Sequence, residues 1–550
     1  MRTSLTAVLL ALAAACAPTT PPADLVVYGR VWTGDTARPA ARAVAVRGDS
    51  IVAVGDSAEV ARFVGADTEV LANGDGLVTP GFADAHTHFT DGGFQLVSVD
   101  LRDADTPEEF VRRLKAFAAT KPKGTWILGG DWDHERWPGT PLPRRDWIDS
   151  VTPDHPVFVQ RLDGHMGVAN SLALRLAEVS RTTPDVAGGE IVRDRSGEPA
   201  GVLKDAAMSL VYRAVPDPTP AERDSALARA LAFAASKGVT AVGYVSAYLS
   251  DLGTFQRAKA AGTLTLRANL YFPLEQWRWV ADTVAKIGPG DGWLRIDGVK
   301  GYVDGSLGST TALFYEPYAD APRTSGLFVT SEQALREQIG DADSAGLQVV
   351  VHAIGERANG VLLDIYDSVA AAHGPRDRRF RIEHAQHLRP ADIGRIARSG
   401  VIASMQPYHA IDDGRWAEKR IGPERIKTTY AFRGLLDSGA VLAFGSDWTV
   451  APIDPILGLY SAVTRRTLDG KHPGGWVPEE KISLDEALRA YTAGNARAVY
   501  AEAKRGVIRP GAWADLVLLD RDLFAIPDST IRDATVRATV VGGKVVYRSR

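Results

Sequence analysis

Eight short apolar runs, separated by segments of helical character, predict an α/β chain whose central part is a (β/α)8 barrel. Two further observations complete the fold class. Both ends of the chain carry β-hairpin signals, and a gap of roughly 150 residues, far longer than an ordinary connection, follows the first run. The expected architecture is a TIM barrel with a small β-sandwich built from both chain ends and a large insertion after the first barrel strand.

Residues 1–22 read as a lipoprotein-type signal and tether. Arg2 gives a positive start, and Leu5 to Ala15 is an apolar run too short to span a bilayer comfortably. Ala13, Ala14 and Ala15 precede Cys16, the single cysteine in 550 residues. A cysteine directly after small residues resembles a bacterial lipobox, although Ala13 stands where leucine is usual; an ordinary secretory signal is the alternative. Thr19 to Pro22 forms the tether. The expectation is an exported protein facing the periplasm or cell exterior, attached to the membrane only through a lipid on Cys16. Beyond Cys16 there is no thiol, which excludes disulfides and cysteine metal sites.

Residues 23–76 supply the first part of the sandwich, with strand signals at Leu25–Tyr28, Ala43–Val46 and Ile51–Val54, the last two separated by Gly48-Asp49. Residues 506–550 supply the second, with Ala514–Leu519 and a hairpin over Ala538–Tyr547. Residues 77–505 are the barrel. Its strands are expected at Leu77–Asp84, Val239–Val245, Leu266–Phe272, Leu294–Tyr302, Leu347–His352, Phe380–His384, Val401–Gln406 and Val441–Gly445, with Ser331–Ala345 and Pro390–Ser399 among the connecting helices. The insertion, about residues 89–236, starts at the C-terminal end of the first strand, the end where barrels place their active sites. It is expected to build much of a substrate pocket.

Hydrophobic content of 45% and charged content of 24% are those of an ordinary globular chain. A net charge of −4 offers no basic footprint, which argues against a nucleic-acid partner and for a small-molecule substrate. Assembly into a homo-oligomer is left open.

Within Pro80–His88 the pair His86 and His88 lies where the first strand ends. Residues two apart on a strand share a face, so both imidazoles project together. His352, His384 and Asp447 close the fifth, sixth and eighth strands, and Lys300 closes the fourth. Imidazole and carboxylate suit zinc and its neighbours. Taken by themselves, two histidines on a loop are equally compatible with plain hydrogen bonding, and Asp447 with capping a helix.

The motifs together are more specific. Pro80-Gly81-Phe82 with His86-Thr87-His88, Val299–Ser306, Val351–Glu356, Arg381–Gln386, Gly445-Ser446-Asp447-Trp448 and the closing Gly506–Gly511 with Ala514-Asp515-Leu516 follow in order along essentially the whole mature chain. In these the chain resembles the amidohydrolase superfamily of metal-dependent hydrolases, and within it the branch that includes N-substituted formamide deformylase. The resemblance implies one or two divalent ions, zinc first among them. His86, His88 and Asp447 would hold one ion, and His352 and His384 a second. Burial disfavours a lysine ammonium, and a neutral Lys300 amine can take up CO2 as a carbamate that bridges two ions. The alternative is a structural pairing of Lys300 with Asp304 or Asp297, leaving a single ion. Asp447 would also move the proton, and His165 would donate a hydrogen bond to the scissile carbonyl. Trp132, Asp304 and His409 are further substrate-pocket candidates, Trp132 as an aromatic wall unless it is core.

The implied activity is hydrolysis of a non-peptide C–N bond in a small amide, with metal-bound hydroxide as the nucleophile. An esterase, lactonase or deaminase on the same centre is the alternative. A non-catalytic binding lipoprotein is disfavoured because such a protein should have lost a ligand or Asp447, and none is missing.

Overall fold

The computed structural model describes residues 21–549, so Cys16 and the signal segment lie outside the described residues. Strand Leu25–Trp32 lies between Glu69–Pro80, to which it is parallel, and Ala40–Arg47, to which it is antiparallel. Ser50–Gly55 extends one side, and Leu516–Leu519, Val536–Val541 and Lys544–Arg548 extend the other, so both chain ends build one seven-stranded sheet. Alternation along these strands divides their side chains between two cores. Leu25, Val27, Val44, Val46, Leu516 and Leu518 share one apolar cluster, whereas Val517 and Leu519 join the core of the barrel. The sheet folds back over its cluster as a sandwich where Ile51 N donates to Ala512 O at 2.9 Å and Gly511 N to Ile51 O at 2.8 Å.

The barrel strands are β1 (Phe82–Thr87), β2 (Val239–Tyr244), β3 (Arg267–Pro273), β4 (Leu294–Tyr302), β5 (Gln348–Ala353), β6 (Arg381–His384), β7 (Ile402–Met405) and β8 (Val441–Phe444). Each is parallel to its neighbours in chain order. Their nearly continuous burial is what a sheet covered on both faces requires. Closure between β8 and β1 falls just past the end of β8. Thr87 forms a parallel bridge with Trp448, and Asp447 N donates to His86 O at 2.8 Å. Gly445 permits that approach, since a Cβ there would stand 2.7 Å from both Asp84 Oδ1 and His86 N.

The first barrel strand begins later than its sequence suggests. Leu77–Pro80 belongs to the terminal sheet, where Val78, Thr79 and Pro80 pair with Leu518, Val517 and Leu516. The apolar run continues unbroken from one sheet into the next, with Gly81 alone between the two strands. The helices lie where expected, at Glu332–Ser344, capped by Ser331, and at Pro390–Arg398, with proline in the first turn.

The insertion carries its own six-stranded sheet, ordered Gly189–Arg193, Pro199–Asp205, Met166–Ala169, Phe158–Arg161, Gly129–Trp132 and Val99–Asp100. Val99, Phe110, Leu114, Ile127, Trp137 and Ile148 form its core. Ion pairs tie it to the loops after the barrel strands: Arg415 to Asp133 at 3.1 Å and Arg420 to Glu135 at 2.5 Å. Ser306 Oγ also donates to Asp163 Oδ2 at 2.5 Å. No helix of the described residues is long and apolar enough to cross a membrane.

Candidate metal centre at the mouth of the barrel

His86 leaves β1 with its ring inside the barrel, and its Nδ1–H donates to Glu383 Oε2 at 2.6 Å. That bond fixes the tautomer and frees Nε2. Nε2 of His86 lies 3.3 Å from Asp447 Oδ1, and Nε2 of His88 lies 3.2 Å from the same oxygen. His86, His88 and Asp447 bring their ligand atoms within 4.8 Å of one another. Asp447 Oδ1 is buried and makes no hydrogen bond.

Strand alternation would turn His384 away from the interior, because Arg381 and Glu383 of the same strand already face it. A left-handed backbone at His384, with φ of 76°, and at Ala385, with φ of 44°, redirects the ring. Its Nδ1–H then donates to Gln406 Oε1 at 2.8 Å. Asp447 is left-handed as well, with φ of 60°. It does not cap the next helix, a task done by Asp454, whose carboxylate accepts from Ile456 N and Leu457 N.

The protonation states suit a cation. Burial would push the Asp447 carboxyl up, but His86 and His88 beside it outweigh burial and hold it well below the usual carboxylate range. Burial, reinforced by neighbouring positive charge, holds His352 well below the ordinary histidine range, and burial does the same for His384. Burial would push His86 down as well, but Asp447 and Glu383 prevail and raise its pKa, whereas burial lowers that of His88; a divalent ion, which needs neutral imidazoles and an ionised carboxylate, would take the place of the proton on His86. The donor set and the buried, unbonded Asp447 Oδ1 therefore fit an ion of the zinc type.

Other expected members are placed differently. His352 turns Nε2 to the Gly305 carbonyl at 3.0 Å and joins neither cluster of candidate ligands. Lys300 is 1% exposed and holds its Nζ 3.8 Å from the centroid of the Tyr302 ring. It pairs with neither proposed carboxylate. Asp297 binds Arg295 at 2.8 Å, and Asp304 accepts from the backbone N–H groups of Leu313, Ile354 and Gly355. Asp304 is thus a buried brace for the loop after β5 and not a substrate contact. Trp132 is no pocket wall either: it is fully buried, donates Nε1–H to Val159 O at 2.9 Å, and stacks on Trp137 in the core of the insertion. His409 borders the centre, lining a small cavity of about 50 Å³ together with His165, His352, His384 and Asp447.

His165 comes from the insertion. Its Nδ1 bonds Asp205 Oδ1 at 2.7 Å, and its ring centroid lies 5.1 Å from that of His352. Burial opposes its protonation, but the hydrogen bond and charge of Asp205 prevail and raise its pKa. Three supporting residues escaped the sequence reading. Glu383 and Gln406 carried a signal, since they adjoin strand ends that bear site residues. Asp205 lies 40 positions from His165 and had none.

A larger cavity of about 970 Å³ opens from His86, His88, Lys300, His384 and Asp447 toward the insertion. Phe94, Phe117, Trp126 and Leu128 are among its lining residues, together with the charged Lys121 and Arg213.

Similarity to known proteins agrees with this geometry. The sequence pattern of the Amidohydrolase family matches residues 69–547. The chain is 41% identical to Protein LONG AFTER FAR-RED 3 of Arabidopsis thaliana, across 96% of this chain and 93% of that one. It is 30% identical to N-substituted formamide deformylase of Arthrobacter pascens, across 95% and 98%. Among solved structures, an uncharacterized metal-dependent hydrolase from Pyrococcus horikoshii superposes with a TM-score of 0.74 at 29% identity, covering 92% of this chain and 99% of that one. A barrel with histidine and aspartate gathered at its mouth, and a family pattern spanning nearly its full length, together establish that the chain belongs to the amidohydrolase family.

Proposed function

We propose that this protein hydrolyses the C–N bond of a small N-substituted amide at a centre of one or two divalent ions, zinc first among them. The observation that carries this reading is the convergence of His86 Nε2 and His88 Nε2 on the single unbonded oxygen of Asp447. The 30% identity to a protein named N-substituted formamide deformylase supports an amide over an ester.

An ion bound there supplies a Lewis acid for the carbonyl and makes water acidic enough to react near neutral pH. The protein's own residues do the rest. Asp447, kept ionised, accepts the proton of the attacking water and passes it to the leaving nitrogen. His165, oriented by Asp205, which also raises its pKa, donates Nε2–H in its protonated form to the carbonyl oxygen as negative charge develops on it. Glu383 fixes His86, and Gln406 fixes His384, so neither ring has to reorganise during the reaction. Lys300 is the candidate carbamate: omitting bicarbonate while metal-stripped protein is reloaded should lower metal uptake, and equal uptake removes that role.

The test is a panel of N-substituted formamides and acetamides against matched esters and amidines, with metal-loaded protein, chelated protein and Asp447→Asn. Amide hydrolysis lost on chelation and in the variant supports the reading. Hydrolysis of esters alone, or of amidines alone, removes the amide assignment.

The apolar run ending at Cys16 supports export with a lipid anchor. On expression in a bacterial host, wild type should sediment with membranes and Cys16→Ser should not. Equal partition of the two would remove the anchor.

A further inference from the structure

Three helices bring their first turns together beside the larger cavity. Asp91 stands on Phe89–Gln95, Arg223 on Pro220–Ser236 and Asp251 on Leu249–Ala260. The first two helices meet closely at Gly93, where a Cβ would stand 2.0 Å from Ala226 O, and Arg229 Nε donates to Gly93 O at 3.0 Å. Asp251 is fully buried and satisfied. It accepts from Arg223 Nη1 at 3.2 Å, from the Tyr244 hydroxyl at 2.6 Å and from Tyr248 N at 3.2 Å. Asp91 is partly buried and lines the cavity, and its carboxyl makes neither a hydrogen bond nor an ion pair. Burial and the Asp251 charge raise it to about 7, against a smaller opposing effect of Arg223; no residue of the metal centre bears on it. Tyr212 and Tyr248 line the same cavity beside it. The Asp91 charge and then burial raise the Tyr248 phenol, and burial and then Asp91 raise that of Tyr212.

We propose that Asp91 is a specificity residue which receives a positively charged group, an alkylammonium, carried on the N-substituent of the substrate. This rests on the amide-hydrolysing reading above and adds a charge to the substrate it describes. Two carboxyls share the single guanidinium of Arg223, so one negative charge stays without a counter-charge in a partly buried place, which is unfavourable. A proton relieves it, and so does an ammonium, which adds a charge-assisted hydrogen bond. Arg223 lies 5.3 Å from the centroid of the Tyr248 ring, so an aromatic side chain here already accommodates a cation. Three other carboxyls of the cavity are taken. Asp131 accepts from Gln95 and Gln160, Asp163 from Arg161, and Asp205 bonds His165. Of the cationic lining residues, Lys121 lies over the Phe117 ring and Arg213 is exposed, and neither bears on Asp91. A substrate carboxylate on Arg223 is the opposite arrangement. It would gather three acidic groups around one guanidinium, and the charge balance disfavours it.

The experiment uses the metal-loaded full chain and N-alkyl formamides whose alkyl chain, over a series of lengths, ends in an ammonium, a methyl or a carboxylate. At the best length wild type should favour ammonium over methyl by about 10-fold or more in kcat/KM. Asp91→Asn should erase that ratio. Asp91→Glu, which keeps the charge, should retain it with the best chain shorter by about one methylene, the length by which the side chain grows. An ammonium no better than methyl in wild type overturns the proposal, and so does a ratio that survives in Asp91→Asn. A preference for the carboxylate overturns it in favour of Arg223 as the receptor. Binding of hexyltrimethylammonium, which has no lone pair to offer a metal, is measured in parallel by titration calorimetry. It should be tighter to wild type than to Asp91→Asn, and equal affinity overturns the proposal. Should no formamide be hydrolysed, the amide reading falls while this binding comparison still decides the subsite, so the two failures are distinguishable.

Discussion

Asp447 N donates to His86 O at 2.8 Å, while Asp447 Oδ1 lies 3.3 Å from His86 Nε2. One residue pair thus closes the barrel with its backbone and builds the centre with its side chains. The two functions are separable by mutation. Asp447→Asn keeps the backbone bond, so the variant should still close the barrel and unfold cooperatively without metal, at a midpoint lowered only by loss of the carboxylate's contacts with His86 and His88, while hydrolysis falls by about 10²–10⁴. Calorimetry of chelated protein and an amide assay check the two halves.

His165 and Asp205 form a second pair whose parts can be told apart. His165→Gln should lower kcat by about 10²–10³, as loss of a donor to a developing oxyanion does, with little change in KM. In Asp205→Asn the imidazole loses what raises its pKa against burial. The alkaline limb of the kcat profile should therefore move to lower pH. An unmoved limb would show that His165 does not act in its protonated form.

Glu383 gives a pH prediction for stability. Burial would raise its pKa, but Arg381 and His86 outweigh burial and hold it well below the carboxylate range. Its folded pKa is depressed relative to the unfolded chain. The stabilisation is therefore complete above the unfolded value of about 4.3 and is lost as pH falls through it toward the folded value. Glu383→Gln should cost about 3 kcal/mol near neutral pH, because it strands the fully buried Arg381. It should also flatten the acid dependence of stability. Urea unfolding of chelated protein between about pH 3 and pH 7 measures both.

The cavity of about 970 Å³ is far larger than a formamide group and carries Phe94, Phe117, Trp126 and Leu128 among its lining residues. Lengthening the N-substituent should raise kcat/KM by about 4-fold per buried methylene until the space is filled. Trp126→Ala should weaken that dependence and leave the smallest substrates nearly unaffected. A flat series in wild type would place the substituent elsewhere.

The sequence made the barrel legible because parallel strands buried on both faces read as apolar runs. It made His86, His88 and Asp447 legible because they stand at the ends of those runs. What escaped it depended on local backbone or on distant contacts. His384 was named from its place at a strand end, but strict alternation gives no hint of how it turns inward, since that rests on two successive left-handed residues. Trp132 follows a glycine-rich stretch that looks like pocket lining, yet its partners Val159 and Trp137 come from other parts of the insertion. Asp304 is held by amides from two other segments, which nothing near it announces. The boundary at Leu77–Pro80 was hidden because one strand serves two sheets without a turn between them.

That shared strand has a consequence for synthesis. Glu69–Pro80 meets its partner Leu25–Trp32 early, but its other edge waits for Leu516–Leu519, which emerges only after the whole barrel. A nascent chain therefore carries an open strand edge next to the residues that lead into His86 and His88, and such an edge invites pairing with other chains. The C-terminal segment acts as the latch of the molecule: a chain that stops short of it would leave the barrel made, the latch missing and the edge sticky.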